Sequence, residues 1–435
     1  MFFLMEGPFA FAREIQPAVT EADQPAAEET VSSASLDPDA SPALRFEVTP
    51  HLSIGAKMQL SVLRRSNRDL NNKKEDDQNR TETTLGLATE VIPRTDIEIF
   101  AEARLTDQRF FMDGEGQTTD ETKVRLKRGY ILWRGAVFPA IDLQVGRQRF
   151  ADSREWIYDE NLDAVRLKLN KDLFALEFSV SSNLFDPEDP EDRIRNYVAY
   201  AAYEPSKGDK IALYWIARHS PGGDQNPEFV GLSWRGKSFQ NQKYWLDLAS
   251  ISGRDGSVKL QGYGADLRWT YLFDQWMEPS ITLGYAFGSG DPNPLDDVDG
   301  SFRQTGLQDN QGKFNGAVKF KYYGELFDPE LSNMRIRTFG LGIIPFKKTS
   351  LDFVYYSYSL VYSHLAPNHT LRDVGIKKDP SGKSKDLGHE VDLIVGLKIS
   401  RLARVEISTA AFIPGKAFPG SDSAYSGEMT VRILF

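Results

Sequence analysis

Along most of the chain, apolar and polar residues alternate with a period of two. Between residues 45 and 62 the apolar side chains share one parity, and the charged or polar side chains share the other. The same alternation recurs at 97–105, 165–169, 174–180, 263–271 and 391–397. The longest run far exceeds the ~5–6 residues of a usual globular strand. The pattern therefore predicts long β-strands, each with one apolar and one polar face.

The connections between these strands are of two lengths. Short turns are predicted at 92–96, 170–172, 204–208 and 398–402, and long polar loops at 64–82, 106–123, 181–195, 288–314 and 359–388. Short turns at one end and long loops at the other are typical of outer-membrane barrels. We therefore expect an all-β fold, a transmembrane antiparallel β-barrel with long extracellular loops and short periplasmic turns.

Counting the predicted strands exposes one irregular region. The count is 19, whereas a barrel with both ends in the periplasm needs an even number. The excess lies at 315–323 and 335–343, on either side of GELFDPELSN (324–333). We interpret the whole region as a single membrane passage. This gives about 18 strands and places Lys319 and Lys321 on a segment folded into the pore.

The remaining residues divide the chain into three parts. Residues 1–12 look like a signal-peptide remnant, although a basic region is missing. Residues 13–44, rich in Ala, Pro, Ser and acidic residues, are predicted to be a disordered acidic lead-in. Residues 45–435 form a single outer-membrane barrel. Its last residue, Phe435, resembles the C-terminal signal that outer-membrane proteins present to the barrel-assembly machinery.

Composition excludes several classes of function. The chain has no cysteine, so thiol catalysis, thiolate metal sites and disulfides are excluded. A net charge of −10 argues against nucleic acid as a partner. The five histidines are scattered without metal-ligand spacing, and no hydrolase motif is present. We therefore expect no enzyme, no cofactor and no metal.

Basic residues are the feature that points to a function. Alternation places several of them on inward-facing positions, namely Lys57, Arg104, Arg166, Lys168, Arg268 and Arg432. Arg147 and Arg149 need a bulge near Gly146 to face inward. Cations that face a lumen select solutes by charge, and arginine binds carboxylates bidentately. Alternatively, these cations only pair with lumen acids such as Glu98, Glu102, Glu90 and Asp266, which would make a polar wall.

Several blocks of sequence carry a resemblance to a known family. They are GRQRFADSREW…DENLDA (146–164), FRQTGLQDNQGKFNG (302–316), YYGELFDPELSN (322–333), KDLGHEVDLIV (385–395) and FIPGKAFPGSDS (412–423). In order and spacing they resemble the alginate export family of outer-membrane β-barrels. The resemblance implies an 18-stranded channel that secretes an anionic exopolysaccharide. It also implies pore residues at Lys57, Arg128, Arg149, Lys319 and Asp159.

The resemblance is incomplete at the constriction. Glu90, Asp328, Glu406 and Ser408 stand where the family has arginines. A polymer other than alginate, or one less densely charged, therefore fits the sequence as well. The full set of candidate pore-lining residues is Lys57, Arg104, Arg128, Arg147, Arg149, Asp159, Arg166, Arg268, Lys319 and Lys321.

The predicted function is passive export of an anionic polysaccharide, alginate or a related polymer, across the bacterial outer membrane. The expected partners are that polymer, outer-membrane lipid, the barrel-assembly machinery, a periplasmic scaffold and an inner-membrane synthase. One alternative is a porin for uptake of small acidic solutes, which would use the same basic residues. Another is a barrel-borne enzyme acting on lipid or glycan.

Overall fold

The structure, a computed structural model, describes residues 42–44, 46–74, 76–112, 117–184, 193–206, 208–363, 371 and 374–435. The strands in these ranges are, in order, β1 (Phe46–Thr49), β2 (Leu52–Ser66), β3 (Gln78–Arg94), β4 (Ile97–Met112), β5 (Gln117–Trp133), β6 (Ile141–Ala151), β7 (Asp159–Lys171), β8 (Phe174–Ser182), β9 (Arg195–Ser206), β10 (Asp209–His219), β11 (Gln225–Gly236), β12 (Gln242–Asp255), β13 (Val258–Leu260), β14 (Gly262–Leu272), β15 (Ser280–Gly288), β16 (Val298–Asp299), β17 (Gln311–Gly312), β18 (Phe320–Lys321), β19 (Met334–Ile343), β20 (Thr349–Leu360), β21 (Asp386–Leu397), β22 (Ala403–Pro414) and β23 (Ala424–Leu434). Within these ranges there is no helix with the length and apolar character needed to cross a membrane.

Eighteen of the strands form one closed antiparallel sheet. They are β2–β12, β14, β15 and β19–β23, and each pairs with the next of these strands along the chain. The sheet closes where β2 pairs with β23, from Lys57 opposite Leu434 to Ser66 opposite Tyr425. This confirms the predicted transmembrane antiparallel barrel of about 18 strands.

The alternation in the sequence becomes the two faces of the barrel wall. On β4, Ile99 and Leu105 face outward and are 40% and 37% exposed, whereas Glu98 and Glu102 face inward and are buried. Successive side chains of a strand point to opposite faces, so an apolar outer surface and a polar lining arise from the same sequence pattern.

The two ends of the barrel differ, as the sequence predicts. Very short turns close one end, for example residues 95–96 between β3 and β4, and residues 172–173 between β7 and β8. Outward-facing aromatic residues lie along this end, including Trp133, Phe174, Trp234, Trp269 and Phe346. Long connections occupy the other end. Aromatic girdles lie at both membrane interfaces of such barrels, and the short turns mark the periplasmic side.

One predicted loop is wrong for most of its length. Residues 106–123 were expected to be a polar loop, but β4 continues to Met112 and β5 begins at Gln117. Polar cross-strand contacts support this extension, since the hydroxyl of Thr122 donates to Asp107 at 2.9 Å. Strands that project beyond the bilayer need no apolar outer face, so the alternation disappears although the strands continue.

The irregular region behaves as predicted. Met334–Ile343 is the barrel strand β19, whereas 315–323 contains only the short strand Phe320–Lys321, which pairs with Gln311–Gly312 inside the barrel. The two therefore make one passage. The signal-peptide remnant expected at 1–12 lies outside the described residues, as does the lead-in at 13–44 apart from 42–44. Both remain predictions.

Candidate functional site

Residues 301–333, called here the in-folded segment, run inside the barrel between β16 and β19. Large apolar side chains of this segment are almost fully buried: Phe302, Phe314, Val318, Phe320, Tyr322, Tyr323, Leu326, Phe327 and Leu331. They pack against rings that point inward from the wall, such as Trp245, Tyr358 and Phe412. The barrel therefore has an apolar core inside its lumen, and a solute must pass beside it.

A charged and aromatic cluster anchors the in-folded segment on one side. The Arg154 guanidinium pairs with Asp247 and with Asp266, the latter at 2.8 Å. It also lies 4.4 Å from the ring centroid of Tyr322. Burial lowers the pKa of Arg154, but the neighbouring carboxylates outweigh this and raise the pKa above its ordinary value. The guanidinium therefore stays charged, and the ion pairs are retained.

Arg268 belongs to this anchor and not to an open pore. Its side chain points inward, as predicted, but it is 1% exposed. Its guanidinium donates to the carbonyl of Tyr322 at 2.5 Å and lies 5.1 Å from the ring centroid of Phe314. We therefore correct its assignment as a pore-lining residue, because the in-folded segment covers it.

Carboxylates of β21 hold the opposite side of the in-folded segment. Glu390 accepts hydrogen bonds from the backbone N–H groups of Leu326 and Phe327, both at 2.8 Å. Asp392 accepts one from the N–H of Glu325 at 2.9 Å. Three consecutive backbone donors of the in-folded segment are thus bound by two carboxyl groups of one strand.

An open cavity of about 300 Å³ remains between the in-folded segment and the wall formed by β2, β3 and β21–β23. We call it the lumen passage. Its charged lining consists of five basic residues, Arg65, Arg80, Lys319, Lys321 and Arg432, and four acidic residues, Glu325, Asp328, Glu406 and Glu428. The passage is therefore off-centre, and its lining alternates in charge with a small cationic excess.

Most cations around the in-folded segment have acidic partners. Lys319 contacts Glu155 at 2.7 Å, and Lys321 contacts Asp309 at 2.5 Å and Asp328 at 3.1 Å. Burial lowers the pKa of Lys321, but the carboxylates of Asp328 and Asp309 outweigh this and raise it overall. Lys321 therefore carries its charge at neutral pH.

A second basic cluster surrounds Glu102 on β4. The Arg128 Nε lies 3.8 Å from one carboxylate oxygen of Glu102, and the Lys127 Nζ lies 3.8 Å from the other. Both cations face inward because the β4–β5 register shifts by one residue at this point, a bulge that breaks the alternation. Lys57 and Arg104 are near enough to Lys127 to repel it electrostatically.

The arginines of β6 and β7 also contact lumen groups. The Arg149 Nε donates to Asp159 at 2.8 Å, Arg147 lies 3.2 Å from Asp163, and Arg166 lies 2.5 Å from Glu177. The bulge expected near Gly146 is not the device that allows this. The pairing of β6 with β5 and β7 is continuous there, and Gly146 instead adopts φ +120°. Such a φ is readily available only to glycine.

Three carboxylates could in principle hold a divalent cation. Oxygens of Glu155, Asp159 and Asp309 lie within 4.8 Å of one another. However, Arg149, Lys319 and Lys321 already contact these three carboxylates. The arrangement is thus a network of ion pairs, and we assign no metal to it.

Sequence reasoning did not assign several basic residues inside the barrel, among them Arg65, Arg80, Lys127, Arg154 and Arg404. Arg65 shares the inward parity of Lys57, so extending the alternation of β2 by a few residues would have found it. Arg80 lies in a range expected to be a loop. No local signal marks Lys127, because its inward position depends on the bulge.

Comparisons with known proteins agree with the fold. A family model described as alginate export matches residues 51–432. Among solved structures, Pseudomonas aeruginosa OccK5 (OpdH) has 10% identity and a TM-score of 0.56, covering 88% of this chain and 98% of that one. For Pseudomonas aeruginosa OpdQ the values are 12%, 0.57, 88% and 98%, and for OprD of the same organism 11%, 0.56, 91% and 96%. No curated protein matches the sequence.

These structures correct one expectation. By its resemblance to the alginate export family, the chain was expected to be an exopolysaccharide secretion channel in structural type. For the structural type of the barrel this expectation is wrong, because the solved structures that share its fold are OprD and Occ porins. At 10–12% identity they show the fold, an outer-membrane barrel of 18 strands.

Proposed function

The chain belongs to the alginate export family, and from this premise we propose that it exports an anionic exopolysaccharide through the lumen passage. The observation that carries the proposal is the charge of that passage, in which cations alternate with acids along one side of an outer-membrane barrel. Family and fold support a channel, and we assign no catalytic step to it. Because the resemblance fails at several family arginines, a polymer related to alginate fits as well as alginate.

The mechanism we infer is passive. A polyanion gains from each Lys or Arg that it meets, but conduction requires binding weak enough to allow release. Acids such as Glu406, which pairs with Arg432, compete with the polymer for the cations. Each carboxylate of the polymer can thus move from one cation to the next. The force would come from synthesis, with a periplasmic scaffold and an inner-membrane synthase as partners.

A second candidate is a porin for uptake of small acidic solutes. Two observations favour it: the lumen passage is narrow, at about 300 Å³, and the solved structures with this fold are porins. A volume of this size is at the lower end of small-molecule sites, which span ~300–1,000 Å³. The same cations would then attract single carboxylates.

Purified protein in planar lipid bilayers separates the two functions. Export predicts anion-selective current that long uronate oligomers block at lower concentration than monomeric uronate does. Uptake predicts block by the monomer, with no gain from chain length. Absence of block by either ligand would contradict both proposals.

A variant pair tests whether the predicted pore residues contribute. Arg128→Ala with Arg149→Ala should weaken anion selectivity, measured as the reversal potential in a salt gradient. Arg94→Ala is the control, because Arg94 lies at the short-turn end with its side chain 69% exposed. Unchanged selectivity in the double variant would show that Arg128 and Arg149 lie outside the conducting path.

A further inference from the structure

Two arginines that the family resemblance does not assign line the lumen passage near its extracellular end. Arg65 is the penultimate residue of β2, and Arg80 is the third residue of the neighbouring β3. In the register of this pair, Arg65 lies opposite Gln78 and Arg80 opposite Leu63. The two arginines are therefore diagonal neighbours on the inner face, a relation in which Cα atoms are about 7–8 Å apart.

Their guanidinium groups have fewer protein acceptors than that of Arg432, which lines the same passage. In the described part of the chain, Arg65 makes neither an ion pair nor a side-chain hydrogen bond, and its Nε is buried without an acceptor. The Nε of Arg80 is also buried without an acceptor, and its nearest carboxylate, that of Glu428, is 3.9 Å away. By contrast, Arg432 donates both to Gln59 and to Glu406.

The acids near these two arginines are engaged elsewhere. Glu428 accepts a hydrogen bond from the hydroxyl of Ser61 at 2.6 Å. Asp328, which interacts electrostatically with Arg65, is held by Lys321 at 3.1 Å. Arg68 adds a further positive charge close to Arg65. Buried guanidinium donors without acceptors favour an incoming anion, because an unmade hydrogen bond to a charged group is costly.

We propose that Arg65 and Arg80 together form a binding site for the carboxylate of a sugar acid, at the extracellular end of the lumen passage. This inference rests on the proposed function and deepens it, since it names where a single uronate unit is held. Two planar forks on adjacent strands suit a carboxylate better than two ammonium groups would.

The site is separate from Arg432, another cation of the passage. On β23, Arg432 lies opposite Gln59, whereas Ser426 lies opposite Arg65. Arg432 and Ser426 are six residues apart on β23, which corresponds to about 20 Å along the strand. A uronate unit that leaves the cell would therefore meet Arg65 and Arg80 last, and one that arrives from outside would meet them first.

The experiment measures block of single channels by galacturonate and by its oligomers, with ligand added to either side in turn. Arg65→Gln with Arg80→Gln should weaken block from the long-loop side about tenfold. Arg65→Lys with Arg80→Lys keeps the charge without the fork and should weaken it less. Arg64→Gln is the matched control. Arg64 is the neighbour of Arg65 in the sequence, but its own side chain is 69% exposed and pairs with Asp77 outside the passage. It should leave block unchanged.

The outcomes separate this inference from the proposed function. If the unmodified channel is not blocked by any uronate, the proposed function fails. If it is blocked, and the Gln double variant is blocked equally well, the function stands and the assignment of Arg65 and Arg80 is overturned. Should the double variant not assemble, each single Gln variant and the Lys double variant decide the matter by the same comparison with Arg64→Gln.

Discussion

At the scale of single residues, Gly146 shows how one position redirects charge. Its φ of +120° lets Arg147 and Arg149 contact lumen carboxylates while the pairing stays in register. A Cβ at Gly146 would lie 2.3 Å from the carbonyl oxygen of Gly129 and 2.9 Å from the Cα of Tyr130. No residue other than glycine fits there without a shift of the backbone of β5.

Gly146→Ala should therefore destabilise the folded barrel. Strain at such a φ costs about 1–3 kcal/mol, and the clash with β5 adds to it. Unfolding by guanidinium chloride of the protein refolded in detergent measures the difference in unfolding free energy between the variant and the unmodified protein. Gly427→Ala is the control, because a Cβ there meets no atom within 4 Å. Equal unfolding free energies for the two variants would show that Gly146 is not constrained as described.

A second residue-scale prediction concerns pH. Glu325 lines the lumen passage, and burial raises its pKa to about 7 despite hydrogen bonds from the N–H of Lys321 and the hydroxyl of Ser408. Below pH 7 the carboxyl is protonated and neutral, so the passage is more positive. Above pH 7 it carries a charge, which adds to those of Glu428 and Asp328 nearby.

Anion selectivity should consequently fall as the pH rises from about 6 to about 8, because a raised pKa near 7 places the titration in this window. Reversal potentials at fixed salt gradient measure it. Glu325→Gln removes the titrating group and should flatten the profile at the more anion-selective level. A profile that persists in Glu325→Gln would assign the pH dependence to another group.

At the scale of elements, the sequence is informative where one rule acts alone. The strict alternation of β4 correctly predicts that Glu98 and Glu102 face inward. The alternation fails at β5, because a bulge adds an inward residue, Lys127, that no local pattern reveals. The predicted lengths of β4 and β5 are also too short, because both strands extend beyond the bilayer, where polar side chains can face outward.

The in-folded segment marks the limit of what the sequence predicts. The need for an even number of barrel strands indicates that 315–323 is not a barrel strand. Its anchors cannot be read from the sequence, because they join positions far apart in the chain. Arg154 pairs with Asp247 and Asp266 across 93 and 112 residues. For the same reason, the sequence places Arg268 in an open pore and has no means of showing that Tyr322 covers it.

Removing the clamp on the in-folded segment should make the element mobile. Glu390→Leu deletes the acceptor of two backbone N–H groups, and a typical intramolecular hydrogen bond contributes about 0.5–1.5 kcal/mol. We expect larger and noisier single-channel currents than in the unmodified protein. Glu204→Leu, with its exposed side chain near the short-turn end of β9, is the control. Steady currents of unchanged size in Glu390→Leu would mean that the anchor around Arg154 alone fixes the segment.

At the scale of the whole molecule, the lumen of the barrel has an apolar part and a charged part. One side is filled by apolar side chains of the in-folded segment, which form a buried hydrophobic cluster with inward-facing rings of the wall. The other side is lined by charges and remains open as the lumen passage. Inward-facing residues that buried side chains cover on the side of β11, β12 and β14, such as Arg268, are therefore expected to be inaccessible to solutes.

Single cysteines test this asymmetry cleanly, because the chain has none of its own. Ser408 on β22 and Ser233 on β11 both face inward, but Ser408 lines the lumen passage, whereas Ser233 is 2% exposed. A positively charged, water-soluble thiol reagent should modify Ser408→Cys and reduce the single-channel current, since the added group occupies the lumen passage. The same reagent should leave Ser233→Cys unchanged, and the unmodified protein gives the background. Equal modification and equal block at both positions would show that solutes also pass along the β11 side, and that the in-folded segment does not fill that half of the lumen.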